Sequence, residues 1–130
     1  MSAQDNAARI RGGYEAFAAG DLDSVSKLFS PEIRWHISGT SQISGTYTGH
    51  DEVFGFFARL VAETAGTFEI DIHDLLASDE HVVVLVRESA SRGDRRLEMD
   101  EAHVWHLADG MATEFWGIAQ DQHAADAFWA

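Results

Sequence analysis

Residues 33–49 read IRWHISGTSQISGTYTG. The stretch opens as a short strand over 33–38 and then dissolves into a loop broken by Gly39, Gly45 and Gly49. Trp35 and His36 sit side by side at the strand end, the one place where a titratable side chain lies between a large aromatic and a glycine-rich opening. Strand ends that feed irregular loops are where sites are commonly built. The stretch therefore predicts the mouth of a pocket with His36 inside it. The plainer alternative is a half-buried histidine beside an ordinary core tryptophan.

The same stretch divides the chain. Before it, Ala7, Ile10, Tyr14 and Phe17 recur at steps of three and four, which predicts a helix over 3–19 ended by Gly20. Asp21 can cap a second helix carrying Leu22, Val25, Leu28 and Phe29, which Ser30-Pro31 stops. After it, Asp51 opens a third helix with the apolar stripe Val53, Phe56, Phe57, Leu60 and Val61, ended by Gly66. Beyond Gly66 the pattern is strand-like. Residues 67–77 alternate, and the β-branched run at 82–86 predicts a central strand covered on both faces. A turn at Arg92–Asp94 leads into a strand over 95–107, Asp109-Gly110 marks a hairpin, and 111–120 returns as the last strand. A short helix or tail over 124–129 closes the chain with Phe128 and Trp129 as anchors. Three helices and one early strand followed by a strand meander predict an α+β fold, a curved antiparallel sheet wrapped around the helices with a conical pocket between.

Composition narrows the function. The 130 residues make one domain, 1–130, and 45% are hydrophobic, enough for a core without staples. There is no cysteine, hence no disulfide framework and no thiolate metal site. The net charge of -13, with no basic stripe, disfavours nucleic acid and anionic membrane surfaces. The first ten residues lack the apolar run of a signal peptide, and no stretch approaches a membrane span, so a cytoplasmic location is expected. A neutral hydrophobic small molecule is the expected partner.

Alternation on the strand at 95–107 puts Leu97, Met99, Glu101, His103, Trp105 and Leu107 on one face. That face is mainly apolar, so Glu101 and His103 are carried inward, where an unpaired charge is costly. Either each has a hydrogen-bond partner and no further role, or they belong to a site. On the last strand neither face is clearly the core one, and Trp116 either lines a pocket or fills space. No metal is expected: His103 and His106 fall on opposite faces, and no helical histidine pair at metal spacing occurs. A phosphate loop and a GxSxG serine motif are also missing.

The runs GDLDSVSKLFSPEIRWHISG (20–39), SGTYTGHDEVFGFF (44–57) and LADGMATEFWGIAQDQ (107–122) resemble the SnoaL-like branch of the nuclear-transport-factor-2-like superfamily, which includes ketosteroid isomerases and polyketide cyclases. The resemblance implies the cystatin-like α+β roll, a hydrophobic conical pocket, no cofactor, and commonly a homodimer formed through the outer sheet face. It implies His36 at the position of the isomerases' general base and His103 at that of their oxyanion-hole acid, roles taken over from a known mechanism. Tyr14 falls one residue out of register with the isomerases' oxyanion tyrosine, a rotation of about 100° around the helix. Trp116 matches a pocket tryptophan. Asp121 lies next to the position of the cyclases' aspartate.

Two readings follow. In the first, the chain isomerises, cyclises or dehydrates a hydrophobic carbonyl compound by proton transfer. His36 is then the base and His103 the hydrogen-bond donor, while Tyr14, Trp35, Phe57, Glu101, Trp116 and Asp121 contact the substrate. In the second, the same cone is a non-catalytic binding module, or a dimeric domain of another role. Convergence of His36 and His103 on one cavity separates the two.

Overall fold

Helical spacing gives α1 (Ala3–Ala18), α2 (Leu22–Leu28) and α3 (Gly49–Glu63) in the computed structural model, which describes residues 1–130. Ser2 caps α1 by accepting from the Asp5 amide, and Asp5 returns a bond to Ser2 in a capping box. Asp21 caps α2 through the Ser24 amide. Helix α3 starts at Gly49, two residues before the expected Asp51, because Glu52 Oε1 accepts from the Thr48 amide 2.9 Å away and draws Thr48 into the N-cap. The closing helix α4 (Gln122–Trp129) is capped by Asp121 and buries Ala125, Phe128 and Trp129.

Six strands form one sheet: β1 (Phe29–Ile37), β2 (Gly45–Thr48), β3 (Glu69–Ala77), β4 (His81–Arg92), β5 (Arg95–Ala108) and β6 (Met111–Ala119), in the order β2-β1-β6-β5-β4-β3. The sheet is mixed rather than wholly antiparallel, since β1 and β6 run parallel with Trp35 beside Phe115. Strand β2, expected as loop, is a short edge strand paired to β1 with His36 opposite Thr46. No helix is long and apolar enough to cross a membrane.

Strand β4 corrects a second expectation. It is central, but its residues alternate: Val82, Val84, Val86, Glu88 and Ala90 are buried, while Leu85 and Arg87 face outward. Its apolar run is therefore covered on one face of the chain. Strand β6 could not be assigned a face from sequence because of a bulge. His106 pairs with Glu114 but Leu107 pairs with Ala112, so Thr113 is extra and the buried set passes from Ala112 to Phe115 and Gly117. Thr113 binds the His106 carbonyl through its hydroxyl.

The helices cover the concave face, and one core runs from Ile10 through Trp35, Val84 and Trp105 to Trp129. Two devices fix α4 at its edge. Arg92 and Arg95 donate to the Phe128 and Ala130 carbonyls at 2.6 and 2.7 Å, completing the C-terminal end of the helix. At the other end Thr40 and Gln122 donate to Asp126, and Ser38 bonds Gln122. Gly39 sits in this latch at φ +98°, and a Cβ there would collide with Asp126 and Gln122. Gly39→Ala is expected to destabilise the fold by about 2 kcal/mol, readable as a lower midpoint in urea.

Candidate active site

The cavity lies between α1, α3, α4 and the concave sheet face, and its volume is about 100 Å³. Its walls are mainly aromatic. Trp35 stacks on Phe115 at 3.8 Å between ring centroids and meets Phe57 edge-on at 5.2 Å. Ile10, Phe17 and Leu28 close the helix side. The Trp35 indole N–H is buried with no protein acceptor.

One polar cluster is set into this apolar wall. Tyr14 lies one turn after Ile10 and shares its inward face, so the expected rotation away from the site does not occur. The Tyr14 hydroxyl is 2.6 Å from His103 Nδ1 and accepts from Trp105 Nε1 at 3.1 Å. On its far side His103 Nε2 faces Glu88 Oε2 at 3.2 Å and Glu101 Oε1 at 3.3 Å. His103 and Glu88 are 5% and 7% exposed, so water does little to screen the cluster.

Burial and its partners set the protonation of the cluster. Burial disfavours a charge on His103, but the Tyr14 oxygen and the carboxylates of Glu101 and Glu88 outweigh it and hold the imidazole well above its ordinary value. Burial and the neighbouring Glu101 push Glu88 up to about 7, against the pull of His103. Burial likewise raises Tyr14, which stays a neutral phenol at physiological pH. With His103 as imidazolium, its Nδ1–H and the Trp105 N–H occupy both lone pairs of the Tyr14 oxygen. The phenolic proton then has no protein acceptor and is free to donate to a ligand in the cavity.

The expected pair of histidines does not converge. His36 points to the opposite, convex face, because Ile33 and Trp35 take the inward positions of β1. There its Nε2 meets Glu114 at 2.6 Å, its Nδ1 meets the Thr46 hydroxyl at 2.9 Å, and its ring stacks on Trp116. His36 and Trp116 therefore line a shallow depression outside the cone, not its interior. Asp121 caps α4 and does not line the cavity. Tyr14, Trp35, Phe57, Glu101 and His103 do line it.

Sequence reasoning missed Glu88. The signal was available: continuing the alternation Val82, Val84, Val86 by one step puts Glu88 on the same face. Reading the run as covered on both faces hid it.

The profile of the SnoaL-like domain matches residues 10–115, a span from α1 into β6 that holds every residue of the polar cluster. The chain belongs to the SnoaL-like family. Bal32a, from a soil-derived mobile gene cassette, is similar at 34% identity and a TM-score of 0.95, with 98% of each chain covered. A protein of unknown function with a cystatin-like fold from Xanthomonas campestris is similar at 27% identity and a TM-score of 0.90, covering 100% of this chain and 99% of its own. An uncharacterized protein of Mycobacterium tuberculosis is 30% identical over 122 residues, 93% of either chain. The SnoaL-like assignment establishes the cone and its helical cover. The chemistry rests on the side chains inside it, since one fold hosts many activities.

Proposed function

We propose that this SnoaL-like protein is a cofactor-independent enzyme that moves a proton next to the carbonyl of a hydrophobic small molecule. The observation that carries the reading is the Tyr14–His103 contact of 2.6 Å inside an aromatic cavity, backed by Glu88. Tyr14 keeps its proton and donates a hydrogen bond to the carbonyl oxygen, stabilising the charge that develops there as an enolate. Glu88, raised to about 7, accepts the proton from the adjacent carbon. A carboxylate of that strength is partly ionised near neutral pH and basic enough to compete for a carbon-bound proton. His103 joins the two groups and stabilises whichever of them is negative.

A panel of steroid, polyketide and terpene-like ketones incubated in heavy water tests the reading. Enzyme-dependent deuterium uptake beside the carbonyl of at least one compound supports it. Binding without uptake across the panel turns the assignment to a binding module. That second reading draws on two observations: His36 and His103 do not converge on one cavity, and both nitrogens of His103 already have protein partners. His36→Ala is expected to change the exchange rate by less than about twofold and to cost about 1 kcal/mol of stability through its lost bond to Glu114. Loss of exchange in that variant would restore His36 to the chemistry.

A further inference from the structure

The structure assigns the cavity a second recognition element: Glu88 and Glu101 form an acceptor for a protonated amine carried by the hydrophobic ligand. The inference uses only the pocket, and it holds whether the bound molecule is turned over or merely held.

Two carboxylates offer four acceptor oxygens, and the protein supplies one N–H between them, that of His103 Nε2. The distances of 3.2 and 3.3 Å are long for a charge-assisted bond, as expected when one proton is shared by two acceptors. The His36–Glu114 pair on the convex face, with one carboxylate per nitrogen, closes to 2.6 Å. The two carboxyl groups also meet each other, Glu88 donating to Glu101 when it is protonated, and once both have ionised only His103 donates to them. Their side chains are only 9% and 14% exposed, and both line the cavity. The carboxylate oxygens that no protein donor meets open onto the cavity, where a ligand that brings donors can reach them.

Charge narrows the choice to a cation. Once Glu88 has ionised, two carboxylates against one imidazolium leave the cluster one positive charge short. The remaining ionisable lining group is Asp126, and neither lysine nor arginine lines the cavity. A neutral hydroxyl would satisfy one acceptor and leave the charge. A carboxylate ligand would double it. An ammonium group satisfies up to three acceptor positions and neutralises the cluster. The walls suit it as well, because Trp35, Trp105, Phe115 and Tyr14 line the cavity and aromatic rings attract a desolvated cation.

Tryptophan fluorescence of the full chain tests it, since Trp35 and Trp105 line the cavity. Phenethylamine, phenethyl alcohol and phenylacetate are titrated at about pH 8, where both carboxylates compete least with protons. The expected order is amine tightest, alcohol at least about tenfold weaker, and phenylacetate weakest, tenfold being the low end for one buried charge-assisted bond. In Glu101→Gln, and independently in Glu88→Gln, the ratio of amine to alcohol affinity is expected to fall to about two or less. An alcohol that binds as tightly as the amine overturns the inference. So does an amine preference that survives in both variants. Zinc added alone is the third arm: a higher melting temperature in the parent chain but not in Glu101→Gln would give the cluster to a metal and overturn the amine. Failure here leaves deuterium exchange intact, so the two readings fail separately.

Discussion

Glu88→Gln slows deuterium uptake into a responsive ketone by about 100-fold or more, the usual worth of a positioned general base. Glutamine keeps the shape and still accepts from His103 Nε2, so the cavity and the Tyr14 donor survive. What is lost is the group that can take a proton. The pH profile separates this from a structural defect. In the parent chain the exchange rate rises as Glu88 ionises around its value of about 7 and levels off above it. The residual rate of the variant loses that step. Tyr14→Phe removes the donor to the carbonyl oxygen instead, and costs about 10²-fold or more in rate while leaving the step in place. A Glu88→Gln chain that exchanges at the parent rate, or keeps the same step, would transfer the role of base to Glu101.

The second large effect is on stability, and it runs against the common pattern of acid lability. Glu88 ionises at about 7 in the fold against 4.5 ordinarily, so folding carries a growing penalty as pH rises through that interval. His103, raised above its ordinary 6.5, contributes stability that is complete below that value and is lost as pH passes its raised one. Both groups hold protons more tightly in the folded chain, so both terms have the same sign. Stability falls as pH increases from about 5 to about 8, with Glu88 accounting for about 3 kcal/mol. The capping carboxylates Asp5 and Asp21, held below the ordinary 3.8 by hydrogen bonds from Ser2 and Ser24, act only under more acid conditions. Scanning calorimetry should show the melting temperature drop by about 10 °C across that range. The drop should shrink in Glu88→Gln, which cannot ionise. A melting temperature that is flat or rises from pH 5 to 8 would mean the cluster is not buried as described.

The sequence was legible where periodicity was clean. Helix α1 and the β5 face that carries Glu101 and His103 inward could be read from apolar spacing alone. Errors arose where the backbone departs from a fixed period or where the partner of a strand is remote. The Thr113 bulge switches the face of β6, so counting by twos could not say which way Trp116 points. The parallel pairing of β1 with β6 joins segments some 80 positions apart, which no local pattern encodes. His36 was placed inside by analogy of position, although Ile33, Trp35 and Ile37 had already claimed the inner face of β1 by alternation. That local signal was the better guide. Glu88 is hidden for the opposite reason: a β-branched run suggests two covered faces, while the alternation simply continues through it.

The central claim is that the chemistry of this SnoaL-like chain belongs to the Tyr14–His103–Glu88–Glu101 cluster and not to His36. Nitrogen-15 spectra of labelled histidine rings, recorded at neutral pH with and without a bound hydrophobic ketone, test it most directly. The account predicts that His103 is doubly protonated in the free protein and that the ketone shifts its signals while leaving those of His36 in place. A neutral His103, or a ketone that moves the His36 signals instead, would contradict it.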